Sequence, residues 1–96
     1  MSKKSTTPVV DELFELVNNY LTCNGGPTTE KCHEVLVIIN DGADKIYRQD
    51  QAIRFEGKWH NIKPTLKQNA EPAKFRIKEM EIERTIANKK RNQITV

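Results

Sequence analysis

The chain carries little with which to do chemistry: two cysteines, two histidines and one tryptophan in 96 residues. It also lacks the motifs G-x-x-x-x-G-K-[ST], G-x-G-x-x-G, G-x-S-x-G and H-E-x-x-H, which excludes the usual phosphate-cradling loop, dinucleotide fingerprint, nucleophile elbow and zinc-hydrolase grip. Gly25 and Gly26 precede a helix start, but without the lysine of a phosphate loop they read as a helix terminator. Cys32 with His33 and His60 supplies a thiol and a base, yet not the orienting groups and enclosed pocket a nucleophilic site needs. The spacing C-x8-C-H with a distant His60 has no paired C-x2-4-C or H-x3-5-H grip for zinc. We therefore expect a non-enzymatic protein with no metal and no cofactor.

Long hydrophobic runs are absent too. The longest, Val35 to Ile39, has five residues, far below the ~20 that span a bilayer. The opening MSKKSTTPVV has charge but no apolar signal core behind it. The expectation is a cytoplasmic protein without membrane contact, in which Cys23 and Cys32 stay reduced although the turn NGGPTTEK between them is able to bring them together. At this length folding removes roughly 60–65% of the surface an unfolded chain exposes, so there is room for one domain with a thin core. Apolar residues make up 36% and charged ones 30%, which is polar but outside the compositional range of disorder.

What is present begins with an amphipathic helix. Thr7 suits a cap, Pro8 the first helical position, and Asp11, Glu12 and Glu15 the positive end of the macrodipole. Val10, Leu13, Phe14, Val17, Tyr20 and Leu21 form its apolar stripe, ended by Asn24, Gly25, Gly26 and Pro27. Residues 28–48 admit two readings. Cys32, Val35, Leu36, Ile39, Ala43, Ile46 and Tyr47 keep helical spacing after a Thr-Glu start, whereas the β-branched VLVII followed by Asn40, Asp41 and Gly42 reads as a strand at 35–39 and a hairpin turn. A helical start with either continuation is the preferred reading. AIRF, Glu56-Gly57 and KWHNI read as a short antiparallel β-hairpin that Pro64 ends, with TLKQNAEP (65–72) as a polar linker.

Residues 71–96 read as a long C-terminal helix led in by Pro72. Its seven basic and four acidic side chains hold the whole net charge of +3, because nine of each sign cancel over residues 1–70. On a helical wheel Ala73, Ile77, Met80 and Ala87 fall on one side and Phe75, Ile82 and Ile86 about 150° away. One core does not easily bury both, so the second stripe has three candidate covers: the protein's own core, a second copy, or a different protein docked in helix-in-groove fashion. For a second copy the seam is 73, 77, 80, 84, 87, 91 and 94, spoiled in part by Arg84 and Arg91. The partner-binding candidates are Ile77, Met80, Arg84 and Ala87.

Charge order suggests a further partner. Between Lys58 and Lys78 the only acid is Glu71, and after an acidic block come Arg84, Lys89, Lys90 and Arg91. Lys58, Lys63, Lys67, Lys89, Lys90 and Arg91 suit phosphates, and Trp59 suits stacking on an unpaired base.

The expected organisation is therefore α+β: a disordered N-terminus (1–7), a small domain (8–70) of amphipathic helix, second helix or strand, and hairpin, and the charged helix with its basic tail (71–96) in the same domain. That element order is similar to a winged helix-turn-helix domain, in order alone. The leading functional expectation is a regulatory protein that binds nucleic acid through the basic hairpin and C-terminal segment. The alternative is an adaptor or inhibitor, of the kind mobile elements carry, docking its last helix on a larger complex that itself handles nucleic acid.

Overall fold

VLVII, AIRF and KWHNI all resolve into helices, whereas Ile46 and Tyr47 fall in the connection between the second helix and the third. The computed structural model describes residues 9–92, in which α1 spans Val9–Thr22, α2 Thr29–Asp44, α3 Gln49–Asn69 and α4 Pro72–Asn92. The expected disordered segment 1–7, the capping Thr7, Pro8 and the seam position Ile94 lie outside the described residues.

The α+β expectation is overturned, since among the described residues there is no strand. The segment read as the hairpin AIRF-EG-KWHNI is the body of α3, and its Ala52, Phe55, Trp59, Ile62 and Leu66 recur at three and four and are all buried. Gly57 in mid-helix costs about 1 kcal/mol, less than the ~1.5–3 kcal/mol gained by burying even one large apolar side chain such as Phe55. Pro64 is likewise inside α3. Its ring removes one backbone donor, and burial of Ile62 and Leu66 on either side carries the helix through. The linker read at 65–72 shrinks to Ala70 and Glu71, because α3 continues to Asn69 and α4 begins at Pro72. The strand reading of 35–39 falls as well: Val35, Leu36 and Ile39 are buried on one side of α2 while Val37 and Ile38 face out. With the hairpin gone, the likeness to a winged helix-turn-helix goes too.

α1 buries Val10, Phe14, Val17 and Leu21 of its stripe, while Leu13 is partly buried and Tyr20 is exposed, its hydroxyl donating to Glu34. The chain then reverses through Asn24, Gly25 and Gly26, all at positive φ (48°, 95° and 87°), a backbone path that glycine adopts without steric cost. Thr28 caps α2, its hydroxyl accepting from Lys31 N–H at 3.2 Å, and Lys31 Nζ in turn donates to the Cys23 and Gly26 carbonyls of the reversal. α1 and α4 each pack against α2 and α3 but not against each other. Cross-helix contacts give the directions: Asp11 with Arg54 at one end and Leu21 and Thr22 beside Ile62 and Thr65 at the other make α1 and α3 run the same way, and Asn40 with Glu81 and Asp44 with Lys89 do so for α2 and α4. α4 runs against α3, as Glu56 with Lys90 at one end and Lys63 with Glu79 further along require. The assembly is 42 × 34 × 17 Å, so thin that α4 has core on one side only.

Candidate docking face on the fourth helix

α4 is seated by its Phe75, Ile82 and Ile86 stripe, whose members are 3%, 0% and 2% exposed. Phe75 stacks on Trp59 of α3 with ring centroids 6.4 Å apart. Polar contacts then fix both edges of the helix. On the α3 edge Trp59 Nε1 donates to Glu83 Oε2 at 2.9 Å, Lys63 Nζ bridges Glu83 and Glu79 at 2.7 and 2.8 Å, and Lys90 pairs with Glu56 at 2.8 Å. On the α2 edge Asn40 Nδ2 donates to Glu81, Lys89 Nζ to the Asp44 carbonyl, and the Glu71 N–H to His33 Nε2 at 3.0 Å. The hydrogen bonds that Lys63 donates to Glu79 and then Glu83 raise its pKa above the ordinary value. For Glu83, burial pushes upward, but hydrogen bonds from Lys63 and Trp59 outweigh it and leave the carboxyl below its ordinary value.

With its orientation thus fixed, α4 turns the other stripe outward. Ile77 is 57% and Met80 64% exposed, and Ala73, Arg84 and Ala87 are exposed beside them. All four partner-binding residues expected from the sequence therefore share one open face. α2 adds to it: Val37 is 46% exposed and, with His33, Leu36, Lys74, Ile77 and Lys78, lines a shallow groove of about 270 Å³ along the α2–α4 seam. Contribution from α2 is the part of this face that sequence reading missed. Its signal was the apolar Val37 next to the buried Leu36, hidden while the segment also read as a strand.

The residues nominated for nucleic acid are dispersed and mostly engaged. Trp59 is fully buried, so its ring has no face to offer a base. Lys63 is held between two glutamates, Lys90 by Glu56, and Lys58 lies 3.7 Å from Asp11 on the α1 side of the molecule. Lys89 donates to a backbone carbonyl, while Lys67 and Arg91 are exposed near opposite ends of the α3–α4 pair.

Elsewhere a cleft of about 660 Å³ opens between α1, α2 and the start of α3, lined by Val10, Leu13, Ile38, Ile46, Gln51 and Phe55 among others. Gln51 Oε1 is buried there without a hydrogen-bond partner. Cys23 is exposed and Cys32 buried, both as free thiols, and no three His, Cys, Asp or Glu side chains among the described residues gather as metal ligands. No helix of the described chain is long and apolar enough to cross a membrane. Compared with models of known protein families, with curated proteins and with solved structures, the chain has no match in any of the three.

Proposed function

We propose that this chain is a small, non-enzymatic cytoplasmic docking protein, an adaptor or inhibitor, that presents the outer face of α4 to a protein partner. One observation carries the reading: Ile77 and Met80 stand more than half exposed on a helix that core packing and edge contacts hold in one orientation. Apolar side chains clustered on a surface mark an interaction site more often than scattered ones do. A face that is already ordered also spares the partner the entropic cost of ordering it. The basic residues favour this reading over phosphate binding, since Lys58, Lys63 and Lys90 spend their charge on carboxylates of the same chain.

Site-specific photo-crosslinking in the native host tests it. A photoreactive residue at Met80 is expected to give a discrete protein adduct that Ile77→Glu abolishes, while the same group at the exposed Asn19 on α1 gives none. Equal or absent adducts at the two positions, with the protein folded, would refute a docking face on α4.

A further inference from the structure

We infer that the partner of this face is a second copy of the chain, its α4 packed antiparallel to the first about a two-fold axis lying between Ile77 and Met80. The inference rests on the docking reading above and names its occupant. Three features of α4 support it together, namely the position of its exposed apolar pair, the order of its charges, and the edge on which each charge lies.

A two-fold axis perpendicular to two antiparallel helices places residues opposite each other when their numbers share a constant sum. It also keeps each edge of one helix beside the same edge of the other. Setting Ile77 against the partner's Met80 makes the two exposed apolar side chains cover each other twice. The same register puts Ala73 against the long side chain of Arg84, a small residue facing a large one.

The charges then match edge by edge. Lys74 and Glu81 lie on the α2 edge, Lys74 lining the groove with His33 and Val37 and Glu81 accepting from Asn40. Arg76 and Glu83 share the α3 edge, about 20° apart on the wheel, where Glu83 meets Trp59 and Lys63. In the antiparallel pair each Lys74 lies two residues, ~3 Å along the axis, from the level of the other copy's Glu81 on the same edge, and each Arg76 likewise from the other copy's Glu83, within reach of these long side chains, four opposite-charge pairs in all. A parallel pair would instead set the basic block at 74–78 on its own copy and the acidic block at 79–83 on its own copy. Like charges along a helix pair select against that arrangement. The basic-acidic order that looks unhelpful within one helix, where Lys74 stacks on Lys78 and Glu79 on Glu83, is complementary between two.

Helical overlap in this register covers residues 72–85, ~21 Å of axis at 1.5 Å per residue. Such a contact belongs with small, reversible interfaces, so the dimer forms with rising concentration and weakens with salt.

Sedimentation equilibrium of the purified full chain over a wide concentration range, at low salt, is the test. The expected mass rises from 11.1 kDa toward twice that value. Lys74→Glu and Glu81→Lys each place like charges together at two symmetric points and should raise the dissociation constant roughly tenfold. The double variant Lys74→Glu/Glu81→Lys restores opposite pairs and should return it to within about twofold of the wild type on the same reasoning. Met80→Glu should leave the mass at that of the monomer. Far-UV circular dichroism reports in each case that the variant is folded. A folded chain that stays monomeric at every concentration overturns the inference, as does a dimer indifferent to the single charge reversals or not rescued by the double one. If the chain is monomeric yet position 80 still crosslinks to a different protein, self-pairing is refuted and the docking reading stands. If neither is seen, both fall.

Discussion

Two isoleucines five residues apart on α4 should behave as though they belonged to different proteins. Ile82 is 0% exposed and Ile77 57% exposed, so Ile82→Ala loses a fully buried side chain and leaves a cavity, whereas Ile77→Ala trims a group already in water. Core truncations of this kind cost about 2–5 kcal/mol, while exposed ones fall within about 0.5 kcal/mol of zero. In a domain this small, each kcal/mol moves the melting temperature by roughly 4–8 °C. The pair should therefore separate by about 6 °C or more, Ile82→Ala melting low and Ile77→Ala near the wild type. Urea unfolding followed by Trp59 fluorescence reads the docking of α4 directly, because Phe75 of that helix stacks on the indole. Far-UV circular dichroism on the same samples checks that both probes see one transition. The measurement belongs at high dilution, so that any association through the outer face does not contribute. Comparable losses for the two variants, or a larger loss at Ile77, would mean that α4 is rotated on the core, and the docking face and its register would go with it.

Titration should reveal the Lys63 cluster. Glu83 has its pKa lowered by Lys63 and Trp59 against the pull of burial, so its contribution is present above its ordinary value of 4.5 and fades as pH falls through the lower folded value. Lys63 has its pKa raised by Glu79 and Glu83, so its contribution holds below 10.5 and fades as pH rises through the higher folded value. Stability measured by denaturant midpoint should thus fall below 4.5 and again on the alkaline side, where buried Cys32, its pKa raised from 9.0, begins the loss before Lys63 adds to it, and Lys63→Met should flatten the acid limb; an unchanged limb would contradict the bridge. Gly57→Ala should stabilise the protein by about 0.5–1 kcal/mol, because a Cβ there meets nothing within 4 Å; a loss on thermal melting would show that the site is not open helix. A thiol reagent should label Cys23 quickly and Cys32 only on unfolding, since burial both hides the Cys32 thiol and raises its pKa; equal native rates would refute the burial.

Local pattern revealed two of the four helices and the ambivalence of a third. The α1 stripe stood out because a charged first turn and a Gly-Gly-Pro stop bracket it. α2 was legible up to the point where five consecutive apolar residues erased its periodicity; only packing against α1, α3 and α4 selects which three of them turn inward. α3 was misread because Ile53 and Phe55 alternate as a strand does and Glu56-Gly57 imitates a turn. The competing three-and-four spacing of Ala52, Phe55, Trp59, Ile62 and Leu66 runs across that turn, and it is tertiary burial of those side chains that outweighs local preference. Both stripes of α4 were readable on the wheel, and the outer one was nominated for a partner, but the physical reason for burying the Phe75, Ile82 and Ile86 stripe was not. That choice follows from Trp59, whose indole offers Phe75 a stacking partner and Glu83 a donor, and Trp59 itself had been placed in a hairpin. The same error nominated it as a surface contact. The pairing of Lys63 was not legible in the sequence, because Lys63 and Glu79 are far apart in the chain and meet only when α4 folds back along α3.

The absence of contact between α1 and α4 has a consequence for how this molecule can change. The α1 cleft and the groove around Ile77 have no lining side chain in common, so the effects of substitutions in the two should add to within about 0.3–0.5 kcal/mol. Either surface can therefore acquire, lose or exchange a binding specificity while the other keeps its own, with the α2–α3 pair serving both as an unaltered chassis.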